Sequence, residues 1–180
     1  MFVSGHADIK SKISVRELCI FAMLGGIMYA LKRVMEFLPN IHPLALFIIA
    51  ITLVFRKRAL YPLYVYVMLE GVFGGFGLWW IPYLYIWTIV WAAAMLLPKD
   101  TIEKNRVFPC VLVAGLHGFL FGILYAPAQA LLYGLDFKGM IAWMVAGFSF
   151  DFIHGVSNIA LGFLIIPLAK AIKRANEINS

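Results

Sequence analysis

Charge is scarce in this chain. Of its 180 residues 13% are Asp, Glu, Lys or Arg, whereas 63% are hydrophobic, and the mean hydropathy is +0.91. A water-soluble domain of this length could not hide so much apolar surface, so a polytopic membrane protein is the class that fits. No polar stretch is long enough to fold separately, and one domain over residues 1–180 is expected. Cysteine is nearly absent. Cys19 and Cys110 stand singly, which excludes a disulfide framework and a thiolate metal motif. The chain lacks G-x-x-x-x-G-K-[ST], H-E-x-x-H and G-x-S-x-G, so nothing in it points to ATP hydrolysis, a zinc protease or a serine hydrolase. Ser149 and His154 stand five residues apart, on different sides of a helix, which speaks against an intramembrane protease pair. Internal repeats and an inverted half are also missing, which weakens the case for a pseudosymmetric secondary transporter.

What is present is a series of apolar segments. A helical span needs about 20 mostly apolar residues, and the candidates are 15–38, 41–55, 60–76, 79–97, 107–133 and 139–171. The polar leader MFVSGHADIKSKISVRE precedes no convincing cleavage site, so the first segment is expected to be retained as a span. The second and third segments are short enough for a re-entrant hairpin. That hairpin would carry Arg56, Lys57 and Arg58 to membrane depth, at a prohibitive cost. With six spans, twelve of the fifteen Lys and Arg fall on one side: Lys10, Lys12, Arg16, Arg56, Lys57, Arg58, Lys99, Lys104, Arg106, Lys170, Lys173 and Arg174. Lys32, Arg33 and Lys138 fall on the other. By the positive-inside rule the fold class expected is an all-α membrane protein of six transmembrane helices with cytoplasmic N and C termini. The placement of the +6 net charge thereby accounts for it, and no nucleic-acid partner is needed.

The outward connections are then 39–42, the Gly-rich 70–80 and 134–139. Trp79, Trp80 and Tyr83 suit an interfacial belt. Trp87 and Trp91 lie deeper, one turn apart, and either pack or line a pocket. Ionisable groups inside apolar segments persist where they meet protein, water or ligand. In the sixth segment Asp151, His154 and Asn158 share one helical face, and in the fifth His117, Tyr125 and Gln129 share another. Asp151 and Gln129, nearer the outer half, are read as ligand-facing. His154 and Asn158 are read as deeper, where they either lock helices together or reach a ligand. At the outer end of the first segment Arg33 and Glu36 pair with each other, or Lys32, Arg33 and Glu36 together cap an outward-facing pocket and attract an anionic ligand. Glu70, where the third segment meets the Gly-rich loop, suits a cationic ligand or one rich in N–H groups.

The first segment, ELCIFAMLGGIMYALK, also carries Ala22, Gly26 and Ala30 every four residues. This is a strip of small residues that lets another helix approach, either within the chain or from another subunit. On that strip (Ala22-x-x-x-Gly26, close to the family's A-x-x-x-A), together with length and topology, the chain resembles the substrate-binding S components of energy-coupling factor (ECF) transporters over essentially its whole length.

The resemblance implies a bacterial plasma-membrane protein with no catalytic activity and no cofactor. Such a protein binds a vitamin-like micronutrient on its outer face and docks through Ala22, Gly26 and Ala30 onto a transmembrane coupling subunit carrying two ATPases. It is thought to topple in the lipid bilayer to release its ligand. The family's pocket, carried onto this chain, comprises Glu70, Trp79, Trp80, Tyr83, Trp87, Tyr125, Gln129, Tyr133 and Asp151. The abundant Trp and Tyr suit a flat heteroaromatic ligand. The first histidine, His6, follows a polar leader, which disfavours the metal-binding members, so no metal is expected. From another class, a small secondary transporter or channel with a proton relay through Asp151, His117 and His154 remains the alternative.

Overall fold

The first helix opens on a capping box. The Ser14 hydroxyl accepts from the Glu17 N–H, and the Glu17 carboxylate accepts from the Ser14 N–H, an arrangement worth roughly 1 kcal/mol. The computed structural model describes residues 13–178, whose regular structure is all helical, with no strand among those residues. Its helices are α1 (Val15–Val34), α2 (Leu44–Phe55), α3 (Leu60–Gly74), α4 (Tyr83–Met95), α5 (Val107–Phe119), α6 (Phe121–Tyr133), α7 (Phe137–Gly162) and α8 (Ile165–Ile178). Single 3₁₀ turns at Arg56–Ala59 and Leu78–Trp80 lead into α3 and α4. His6, Lys10 and Lys12 lie outside the described residues.

Three stretches are long and apolar enough to cross a membrane: Leu78–Met95, Val107–Tyr133 and Phe137–Gly162. The 26 residues of α7 extend about 39 Å at 1.5 Å per residue, more than the ~30 Å hydrocarbon layer. Asp136 caps α7 by accepting from Gly139 N–H at 2.7 Å. Val145, Phe148, Phe152 and Val156 run along one exposed side of it, a stripe suited to acyl chains.

The second helix is the buried axis of the molecule. Every residue from Leu44 to Leu53 is buried, enclosed chiefly by α4 and α8, with α5 and α7 alongside. A helix that is apolar all round needs such a sheath. Its one polar side chain, Thr52, donates to Ile48 O at 2.6 Å within the helix. The chain leaves α2 at Arg56, whose φ of 52° lies in the left-handed region. The Arg56 guanidinium then donates to Met95 O at 2.6 Å, satisfying the C-terminal end of α4. In return the Trp91 indole donates to Arg56 O at 3.2 Å.

Two of the expected spans are interrupted. Residues 107–133 form α5 and α6, which meet at Leu120. The segment expected over 139–171 ends as one helix at Gly162, and α8 then folds against α2. α8 is amphipathic. Ile165, Ile166 and Ala169 are buried while Lys170 and Arg174 stay exposed, which explains why the run does not continue as a lipid-facing span. Helices α5 and α7 form the closest pair, because a Cβ on Gly118 would lie 2.7 Å from the Gly155 Cα. The Asn158 amide crosses the same contact and donates to Ala114 O at 3.1 Å.

The described basic segments gather at one end. Arg16 donates to Asn176 O, Arg58 pairs with Glu17, Lys173 pairs with Glu103 at 2.8 Å, and Lys170 donates to Asn105 at 3.2 Å. Lys32, Arg33, Glu36 and Glu70 meet at the opposite end of α1 and α3.

Candidate functional site

The site grows from two adjacent helices. α1 and α3 pack where Gly25 lies against Val65, which brings the C-terminal turn of α1 beside Glu70. That carboxylate is fully buried. Its Oε2 accepts from Lys32 Nζ at 2.9 Å and from Arg33 at 3.4 Å, and Arg33 also pairs with Glu36. Two cations and two carboxylates therefore balance, as a buried charge requires. Lys32 Nζ lies 5.5 Å from the centre of the Tyr83 ring, and the Arg33 guanidinium 5.1 Å from that of Tyr29. Tyr66 is one turn before Glu70 on the same face of α3 and is also fully buried.

Trp87 is the hub. It lies on α4 one turn below Tyr83 and is almost wholly buried. Its ring centroid is 5.6 Å from Tyr83, 5.6 Å from His117, 5.7 Å from Phe121 and 6.0 Å from both His42 and Tyr66. The three imidazoles come from three elements: the chain before α2, α5 and α7. His42 and His154 are 4.8 Å apart between centroids, and His117 is 6.3 Å from His154. His117 Nε2 lies 3.3 Å from Ile86 O. A carbonyl only accepts, so Nε2 carries the proton and Nδ1 is left as an acceptor.

Four buried polar atoms of this cluster have no hydrogen-bond partner within the protein, His42 Nδ1, Trp87 Nε1, His117 Nδ1 and His154 Nε2, whereas Tyr66 Oη and Glu70 Oε1 on α3 have each other nearby. Each of the four costs roughly 1–3 kcal/mol when left unsatisfied, and native cores rarely concentrate them. Beside them lies a cavity of about 190 Å³, walled by Lys32, Asn40, His42, Tyr83, Phe121 and His154. A second hollow of about 210 Å³ lies across Phe121, bounded by Asn40, Tyr125, Trp143 and Asp151. Larger hollows, such as the one of about 720 Å³ along Tyr61, Met68 and Val72, are apolar and outward-facing, without the converging polar groups of a solute site. Among the described residues no cluster of His, Cys, Asp or Glu is arranged to hold a metal.

The residues expected from the sequence divide into three groups. Glu70, Tyr83 and Trp87 belong to the cluster. Trp79, Trp80 and Tyr125 build its rim: Trp80 Nε1 donates to Val67 O at 2.7 Å, Tyr125 Oη donates to Trp79 O at 2.9 Å, and the Trp79 ring meets Tyr83 edge-on at 5.5 Å. Gln129 is half-buried and Tyr133 exposed on α6, and neither lines either cavity. Asp151 borders the second hollow, where both of its oxygens lie 3.1 Å from Gly122 N. It thereby caps the start of α6, whose first-turn N–H groups the break at Leu120 exposes. The docking strip faces outward. Ala22 and Ala30 are exposed, and a Cβ on Gly26 would meet nothing within 4 Å.

Sequence reasoning missed His42, Tyr66, Phe121 and Trp143. Tyr66 had a usable signal, its i, i+4 spacing from Glu70 on an apolar helix. His42 looked like an ordinary loop residue, and Phe121 like one apolar side chain among many. No known protein family matches this chain, and no curated protein or solved structure is similar to it.

Proposed function

We propose that the protein is a membrane subunit that captures a vitamin-like, heteroaromatic solute, of the kind that serves as the S component of an ECF importer. In this reading six segments cross a bacterial plasma membrane with both termini on the cytoplasmic, basic side. The solute enters from the opposite side, between Lys32 and Tyr83. One observation carries the reading: partnerless polar atoms packed among aromatic rings, two of them, on His42 and His154, lining a cavity at the end remote from the basic cluster. Such a set is costly unless a ligand completes its hydrogen bonds. The protein binds and does not convert its solute. The coupling subunit and its two ATPases supply the energy, and the outward strip of Ala22, Gly26 and Ala30 supports docking through α1.

A vitamin screen by thermal shift on the detergent-purified protein, with co-purification against a coupling module, tests this. A stabilising ligand and a stable complex are expected, and the absence of both would reject it. The grouping of His42, His117 and His154 favours one competing reading, a proton relay. Uptake that tracks a pH gradient and survives ATP depletion would establish that reading instead.

A further inference from the structure

We propose that the cavity beneath Lys32 takes a small nitrogen heteroaromatic, one ring or two fused rings with an N–H beside a lone-pair acceptor, and that Phe121 sets this size limit. The proposal rests on the solute-binding reading above and narrows it. Size is the first argument. The cavity of about 190 Å³ and the hollow of about 210 Å³ share Asn40 and Phe121 as walls. Each alone is smaller than the ~300 Å³ at which pockets for drug-sized ligands begin. A flavin or a folate is therefore larger than either hollow while Phe121 stands between them. The Phe121 ring is held in place by neighbours on several sides, His154 at 5.1 Å, Trp87 at 5.7 Å, His117 at 5.9 Å and Tyr125 at 6.1 Å.

Polarity is the second argument. His42 and His154 both line the cavity, and each has a buried nitrogen without a partner. His154 is only 2% exposed. Each neutral imidazole nitrogen is a donor or an acceptor according to tautomer. Two of them with rings 4.8 Å apart match a ligand edge that offers an N–H next to a ring nitrogen or carbonyl. Tyr83 and Phe121 supply flanking ring surfaces, which reward an aromatic ligand over a saturated one. The charges at the mouth cancel, with Lys32 and Arg33 set against Glu36 and Glu70, so recognition does not depend on a net ligand charge.

The test uses the full chain purified in detergent. Nicotinamide, cytosine, adenine, riboflavin and folate are titrated while thermal unfolding and tryptophan fluorescence are followed, and any co-purifying small molecule is identified by mass spectrometry. A small-ring probe or a co-purified compound of that class is expected to stabilise the protein, with riboflavin and folate inert. Phe121→Ala is expected to admit riboflavin or folate at least tenfold more tightly. Phe121→Leu, a milder change, serves if the alanine variant fails to fold. Tight binding of riboflavin or folate to the unaltered protein overturns the size limit and leaves solute binding standing. A saturated co-purifying solute overturns the aromatic class. Continued exclusion of both large probes by the folded variants overturns the role of Phe121. If no probe binds and nothing co-purifies, the underlying reading falls with the proposal.

Discussion

The carboxylate of Asp151 on α7 meets the backbone N–H of Gly122 on α6, with both oxygens 3.1 Å from the nitrogen. The contact explains an acidic residue inside an apolar segment without a ligand. The helix broken at Leu120 exposes first-turn donors, and a carboxylate from the neighbouring helix satisfies one of them. Glycine favours this contact, because a Cβ on residue 122 would crowd Asp151 Oδ2 and push the carboxylate aside. Asp151→Ala is therefore expected to cost about 1–2 kcal/mol of stability with little change in ligand affinity, and Asp151→Asn, which keeps an accepting oxygen, to cost less. Thermal unfolding with and without ligand separates the two effects.

Glu70 holds two cations in a buried setting. Glu70→Gln leaves Lys32 without a carboxylate while Arg33 keeps Glu36, and with both cations part-exposed a loss of about 1.5–3 kcal/mol is expected. Combining it with Lys32→Met removes one stranded charge and should restore part of the loss. A double-mutant cycle on unfolding measures the coupling. Purely additive losses would show that the pair is not coupled.

Gly25 and Gly26 are neighbours with opposite environments. A Cβ on Gly25 would sit 2.5 Å from Val65, whereas one on Gly26 would meet nothing within 4 Å. Gly25→Ala should destabilise the fold by about 1–3 kcal/mol through overpacking. Gly26→Leu should leave unfolding unchanged and abolish co-purification with a coupling subunit. An intact complex with Gly26→Leu would remove α1 as the docking face.

The attachment of α8 at the basic end is sensitive to acid. The Lys173 ammonium bonded to Glu103 holds that carboxyl below its ordinary value of 4.5. A carboxylate with a lowered folded pKa contributes stability that is present above its unfolded pKa and lost as pH falls through the folded one. Amide exchange in α8 should therefore accelerate below about pH 4. It should also accelerate in high salt, because the Lys173–Glu103 pair is exposed and screened. Exchange unaffected by either would mean that apolar contacts of Ile165, Ile166 and Ala169 alone hold the helix.

Much of this arrangement was legible because membranes penalise charge. Arg16, Arg56, Arg58 and Lys173 had to share an end, and the positive-inside pattern placed them together before any contact was known. The full burial of α2 was not legible, since LALFIIAITLVF reads the same whether lipid or protein surrounds it. The break at Leu120 carries no proline, and Pro127 lies inside α6 without ending it. The turn after Gly162 did have a signal, in Lys170, Lys173 and Arg174 spaced along one side of an apolar run. In the site, Glu70, Tyr83 and Trp87 stood out as costly or bulky groups in apolar segments. His42 gained its meaning only from α7, which brings His154 beside it from more than a hundred residues away.

The most direct measurement is native mass spectrometry of the protein released from detergent, beside a His154→Phe variant that keeps a ring and removes the unpartnered nitrogen. The account predicts a small organic adduct on the unaltered protein and its loss from a variant that unfolds at a similar temperature. An adduct retained undiminished by His154→Phe, or a bare protein throughout, would contradict the assignment of this cluster as a solute site.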